Sequence, residues 1–354
     1  MVKVISFFNH KGGVGKTTTV HNIGYGLAML GKKVLLIDAD PQMNLTAAVY
    51  GLSTDAYYGN GEESLWREYN EKYTSLYSCL RQILIKEPKE VIFYNYNNSQ
   101  DNSGVSFDLL RGSIEINSLD ADLMGIIQNR NTITRDYFSS LGGELNKIYK
   151  NYDFVLIDQS PSAASIINAI FSLTADFVII PSTPTFFCLQ AVNNLTDIWQ
   201  NWYELLSLYA STINTKGIDL KSKFLGIIIQ QGKRYKGGNA THTEEWKEIV
   251  NNGIKSFTQS LLSKSVSEKE FQQVFSEDNK SKPYIIATYN NFTDKLRSIC
   301  DNKGLPIVAL TKEDLPTESS SDDTNKQYLK SWESIQSTNS YICESLLKLA
   351  ELKV

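Results

Sequence analysis

Two lysines, Lys11 and Lys16, flank three glycines in the run His10-Lys11-Gly12-Gly13-Val14-Gly15-Lys16-Thr17-Thr18. Glycine lets successive backbone N–H groups turn toward one point, and the positive N-terminus of a following helix adds to the attraction, so the run suits phosphate. Lys16 falls where an ammonium meets the outer phosphates of a nucleotide, and the Thr17 hydroxyl is a candidate ligand for Mg²⁺. Lys11 comes before the cradle. A lysine there can point out of its own pocket and act on the nucleotide of a second copy. The usual phosphate loop, G-x-x-x-x-G-K-[ST], has glycine where this chain has His10.

These residues need rigid elements to hold them. Residues 3–9 are apolar and rich in strand formers. Val20, Ile23, Leu27 and Leu30 then recur at helical spacing until Gly31, and "KKVLLIDAD" reads as a buried strand ending in acids. Strand, helix and strand in this order make a βαβ unit. Further buried strands are expected at 152–162, 176–183, 223–232 and 304–310. The expected fold is α/β, a mostly parallel twisted sheet with helices on both faces over residues 1–315. The Tyr- and Asn-rich stretch at about 52–105 reads as a surface insertion, with "YNYNNSQDNSG" (94–104) a loop. Residues 316–325 read as a polar hinge. After it, Tyr328, Leu329, Trp332, Ile335, Ile342, Leu346 and Leu349 predict a C-terminal helix docked on the body, within 316–354.

Composition excludes several classes. No apolar run reaches the length of about 18 residues that spans a membrane, and the start of the chain does not read as a signal peptide. Cys79, Cys188, Cys300 and Cys343 are scattered, without the spacing of a metal or cluster site. The net charge of −4 is unevenly spread: residues 216–297 hold 14 Lys/Arg against 9 Asp/Glu. Such asymmetry can build a basic face on an acidic protein.

With Lys11 before the glycines and Lys16 after them, the loop resembles the deviant Walker A motif, x-K-G-G-x-G-K-[ST], of the ParA/MinD ATPases. "LLIDADPQMNLT" (35–46) resembles that family's first switch, and "VLIDQSPS" (155–162) its Walker B strand and second switch. The family's D-x-P-P is here Asp158-Gln159-Ser160-Pro161. The resemblance covers roughly residues 1–50 and 150–310. It implies ATP and Mg²⁺ as cofactors, held by Lys11, Gly12, Gly13, Val14, Gly15, Lys16, Thr17 and Thr18. It further implies that Lys11 crosses a face-to-face homodimer to the partner's phosphates, that Asp40 orients or deprotonates the attacking water, and that Asp38 and Asp158 lie near the metal with Thr17. The family often has an adenine-reading Asn where this chain has Gln230 or Gln231.

Within the family the tail argues against the membrane-binding branch, whose C-terminal helix is basic; residues 311–354 carry 5 Lys and 8 Asp/Glu. The partition branch binds double-stranded DNA without sequence preference. Lys233, Arg234 and Lys236 are the candidate phosphate contacts, with Lys280, Lys282, Lys295 and Arg297 as possible additions. Because the loop begins at residue 10, an operator-reading module is not expected ahead of it. The implied protein is a cytoplasmic, nucleoid-associated ATPase that moves a plasmid, a chromosome or a large protein body through a cargo adaptor (ParB-like or equivalent). The alternatives are an ATP switch acting on a protein partner without DNA and, less favoured, an ATP-coupled biosynthetic enzyme.

Overall fold

A strand covered on both faces is apolar over most of its length, and four segments read that way. In a computed structural model of the chain, β1 (Lys3–Phe7), β2 (Val34–Ala39), β5 (Phe154–Gln159) and β6 (Phe177–Ser182) are buried at every position. The structure describes residues 1–51, 62–97, 104–128, 132–211, 217–232, 265–275, 284–290, 293–315 and 322–352. With β3 (Tyr94–Asn97), β4 (Ser106–Leu110), β7 (Lys223–Gly232) and β8 (Ile285–Asn290) the strands form one sheet, ordered β3-β4-β2-β5-β1-β6-β7-β8. Every pairing is parallel except β3 with β4. This is the expected α/β sheet, and its parallel strands all end at one edge. Loops on that edge are where such sheets bind ligands.

Helix α1 (Lys16–Met29) follows β1 and stops where Gly31 takes a left-handed conformation (φ 73°). Helix α2 (Asn44–Tyr50) follows β2. The C-terminal helix Asp322–Glu351 buries Ile335, Ile342, Leu346 and Leu349, four of the residues picked out by spacing. It begins inside the stretch expected to be a hinge, because Asp322–Asn325 are already helical.

Three expectations are corrected. Residues 304–310 are not a strand: Gly304 caps the helix Asp294–Lys303, and Ile307–Ala309 form one 3₁₀ turn. The apolar run is buried as expected, but Pro306 lacks the N–H a strand would donate, and burial of so short a run does not distinguish strand from turn. The last strand is instead β8, which no expectation had placed. The stretch read as a surface insertion contributes the helices Glu62–Lys72 and Leu76–Leu84 and the edge strand β3. Its Leu76, Cys79, Leu80, Ile83 and Tyr96 are buried in the core, and the loop reading fails at Tyr94–Asn97.

A buried polar chain ties the C-terminal helix to α1. Asn339 Nδ2 donates to the Asn22 carbonyl (3.1 Å) and Asn339 Oδ1 accepts from the Tyr289 hydroxyl (2.7 Å). Asn22 Oδ1 accepts from Val308 N (3.1 Å), and its Nδ2 donates to the Thr18 carbonyl (2.7 Å). Leucine at 339 keeps the volume but leaves the Tyr289 hydroxyl buried without an acceptor. Asn339→Leu is therefore expected to lower the unfolding free energy by about 1–3 kcal/mol; urea denaturation checks this, and an unchanged midpoint would remove the network from the stability of the fold.

Candidate functional site

The loop between β1 and α1 is built to be stiff. Asn9 Nδ2 donates to the Pro181 carbonyl (2.9 Å), and Asn9 Oδ1 accepts from Lys11 N (3.0 Å), which anchors the loop to β6. Gly13 and Gly15 sit at φ 71° and 79°, a region that costs any residue with a Cβ. Thr19 N then donates to the Gly15 carbonyl (2.9 Å), the start of the α1 ladder. The loop thus delivers the positive end of a 14-residue helix to the edge of the sheet where the strands end.

The two lysines sit in different surroundings. Lys16 is buried, and its Nζ arches back to the Asn9 and Lys11 carbonyls (3.2 and 3.5 Å). Burial lowers its pKa, while the carboxylates of Asp158 and Asp40 pull the other way. Lys11 is half-buried, with its Nζ 3.4 Å from Thr185 Oγ1 on the turn after β6. One ammonium faces the inside of the loop and the other the flank.

Three acids line up opposite. β2 and β5 run in register so that Asp38 pairs with Asp158. Asp38 is fully buried; its Oδ2 accepts from Thr46 N (2.8 Å) and Thr46 Oγ1 (2.6 Å), and its Oδ1 from Asp40 N (3.2 Å). Burial pushes it up to about 6 despite those bonds. Asp158 is also fully buried, and neither of its oxygens has a hydrogen-bond partner among the described residues. Burial first and the neighbouring Asp38 second raise its pKa well above the carboxylate range, with Thr17 and Lys16 opposing. An unsatisfied buried carboxylate beside a threonine hydroxyl fits a hard divalent cation, which prefers oxygen ligands. Asp40 is buried on the turn beyond β2, its Oδ1 accepting from Gln42 N (2.9 Å). That turn passes through Met43 at φ 55°, a strained conformation for a non-glycine residue, before α2 begins.

Gln230 is buried beside the loop, where its Nε2 donates to Thr19 Oγ1 (2.7 Å), and a Cβ on Gly15 would come within 3.1 Å of its Cγ. It packs against the loop and the first turn of α1. A cavity of about 150 Å³ lies on the other flank of α1, lined among others by Thr18, Ala48, Arg297, Asp301, Gly304 and Pro306. Sequence reasoning missed this wall; Gly304 and Pro306, both breakers inside an apolar run, were the signal available. Arg297, grouped with the DNA contacts, lines this cavity, and both it and Lys295 are exposed on the same helix. Lys233, Arg234, Lys236, Lys280 and Lys282 lie outside the described residues. Among the described residues no cluster of three or more His, Cys, Asp or Glu could hold a further metal ion, and no helix is long and apolar enough to cross a membrane.

A glycine loop between the central strand and its helix, a buried lysine, and acids at adjacent strand ends define a P-loop nucleotide-binding protein. A family model described as an AAA domain (AAA_31) matches residues 2–208, and the chain belongs to this family, the ParA/MinD type of P-loop ATPase. The chromosome partitioning protein ParA of Caulobacter vibrioides is 32% identical over 197 residues, which are 55% of this chain and 61% of that protein, less than two thirds of its length. The structure of pNOB8 ParA bound to nonspecific DNA matches all of both chains at 20% identity with a TM-score of 0.59. A Cyanothece McdA–ATP complex matches 98% of this chain and 96% of that one at 16% identity, with a TM-score of 0.56. At such identities the two structures establish the fold alone.

Asp158 generates a prediction about stability. A carboxyl whose pKa is raised by folding favours the folded state below its unfolded pKa, near 4, and that support is lost as pH rises through the folded value. Asparagine removes the charge. Asp158→Asn is expected to raise the melting temperature of the nucleotide-free, metal-free protein, more at pH 8 than at pH 5. A melting temperature that falls at both pH values would show that the carboxylate is not a source of strain.

Proposed function

We propose that the chain is an ATPase that dimerises on ATP, binds duplex DNA without sequence preference when dimeric, and positions cargo through an adaptor protein. The observation that carries the reading is the unequal placement of the two lysines on one loop. Lys16, inside, is placed to meet the outer phosphates of the chain's own nucleotide. Lys11, on the flank, is placed to leave Thr185 and reach the phosphates held by a second copy. An ammonium supplied across an interface neutralises developing charge in the way an arginine finger does, an effect worth about 10³–10⁵ in rate.

The remaining roles follow from position. Backbone N–H groups from Gly12 to Thr18 cradle the phosphates, and Asp40 takes or orients the attacking water. Thr17, Asp38 and Asp158 would hold magnesium, which would supply positive charge against the phosphates. The cavity beside Thr18 and Pro306 is the place for the base and ribose. The partition relative and the DNA-bound neighbour support the DNA and cargo part of this reading, and the McdA–ATP complex supports ATP as the nucleotide.

Lys16→Ala is expected to abolish ATP binding by calorimetry, whereas Lys11→Ala should bind ATP and fail to dimerise or to show stimulated hydrolysis. A Lys11→Ala protein with wild-type dimerisation would end the reading in trans. The test of the whole is affinity for random-sequence duplex DNA with ATP·Mg²⁺ and with ADP at two salt concentrations. Binding is expected only with ATP, falling with salt at a slope of about −0.9 per phosphate contact. An ATP dimer indifferent to DNA would instead establish a switch that acts on a protein partner.

A further inference from the structure

The chain leaves β5 one residue after Asp158, at Gln159, and the backbone oxygens of Ser160, Ser162 and Ala163 are individually captured by side chains. Asn168, fully buried on the helix Ile166–Thr174, gives its Nδ2 to the Ser160 carbonyl (2.9 Å), Ser160 Oγ (3.0 Å) and the Ser162 carbonyl (2.8 Å). Trp202, on the helix Phe186–Ser207, gives its indole N–H to the Ala163 carbonyl (2.9 Å). The Gln159 side chain is fastened as well, its Nε2 to the Asn168 carbonyl (2.8 Å) and its Oε1 to Ser172 Oγ (2.8 Å). Ser165 caps the helix by accepting from Asn168 N (3.0 Å), and Asp120 Oδ1 accepts from Ile167 N (2.9 Å). Asn168 Oδ1, by contrast, has no partner among the described residues.

A loop held in this way is ordered without belonging to a sheet ladder. Each bond is worth about 1 kcal/mol net and can be exchanged singly, so the segment can be positioned closely and still move. The second holder also reaches the nucleotide loop. The Trp202 ring packs on Phe8, at 4.8 Å between centroids, and Phe8 N donates to the Ile179 carbonyl at the root of the Lys11–Lys16 loop.

We propose that Asn168 and Trp202 are positioning residues that set the segment Gln159–Ala163 behind Asp158 for nucleotide hydrolysis, acting through the loop carbonyls and without touching the nucleotide. The inference rests on the ATPase reading above. It separates holding the loop from binding ATP, since Lys16, the glycines and Thr17 are untouched by either side chain in the structure. Proline restricts φ to about −65°, so Ser160→Pro is expected to supply by covalent constraint part of what the clamp supplies by hydrogen bonds.

The experiment compares Asn168→Ala, Trp202→Phe and the double variant Asn168→Ala/Ser160→Pro for ATP dissociation constant, kcat of ATP hydrolysis and melting temperature. Trp202→Phe keeps an aromatic ring on Phe8, loses the N–H alone, and secures the test if Asn168→Ala does not fold. The expected result is an ATP dissociation constant close to wild type, a kcat lowered about tenfold by misplacement of the segment, and recovery of kcat in the double variant. Wild-type kcat in both single variants overturns the proposal. So does a joint fall of melting temperature, ATP affinity and kcat that proline does not repair, because that is the signature of a merely structural role. A wild-type protein that binds no ATP overturns the ATPase reading itself, and is told apart by failing before any variant is compared.

Discussion

The structure depends on one electrostatic constraint: two carboxylates, Asp38 and Asp158, side by side on adjacent parallel strands and shut off from water. In solvent they would repel weakly. Under an apolar sheet the repulsion and the lost hydration are both large, and both acids are pushed toward the neutral form. The protein relieves them unequally. Asp38 accepts from Thr46 and the Asp40 amide, whereas neither oxygen of Asp158 has a hydrogen-bond partner among the described residues, and the nearby Lys16 and Thr17 oppose its raised pKa. What remains unsatisfied is a demand for positive charge at one point, and the glycine loop, the α1 terminus and Lys16 all converge there.

The same constraint explains why Lys16 is buried and Lys11 is not. A buried ammonium is more tolerable beside carboxylates: burial lowers the Lys16 pKa, and Asp158 and Asp40 offset part of that. Lys11 reaches Thr185 Oγ1 and stays on the half-exposed flank. The turns that carry the chemistry stand clear of the sheet's hydrogen-bond ladder for a related reason. Asp40 leads into the strained Met43, and Asp158 leads into a loop whose carbonyls are held by side chains. Both can move without breaking a strand, which a site built wholly on the sheet could not do.

How far the sequence could be read follows from which signals are local. The loop, Asp38, Asp40, Asp158 and the strands β1, β2, β5, β6 and β7 were legible because glycine spacing and unbroken apolar runs depend on near neighbours alone. Tyr94–Asn97 was not, since a short edge strand of tyrosine and asparagine has the composition of a loop and is a strand only because β4 lies beside it. Residues 304–310 had the burial of a strand but were turned aside by Gly304 and Pro306. Gln230 sits at the end of a strand as an adenine reader would, and its bond to Thr19 beside Gly15 was not legible in the sequence. The holders Asn168 and Trp202 lie in helices with no motif to mark them, and only the fold brings them to residues 160–163.

One more contact joins parts of the site that are far apart in the chain. Gly51 caps α2 and Gly304 caps the helix Asp294–Lys303, both left-handed, and a Cβ on Gly304 would fall 2.2 Å from Gly51 Cα. Glycine suits both positions for their backbone angles, and Gly304 for the close approach as well. Gly304 lines the cavity beside Thr18, together with Ala48 of α2, while α2 begins at the turn carrying Asp40. The cavity wall at Ala48 and the turn carrying Asp40 are therefore joined by one short helix, whose far end is braced at Gly304.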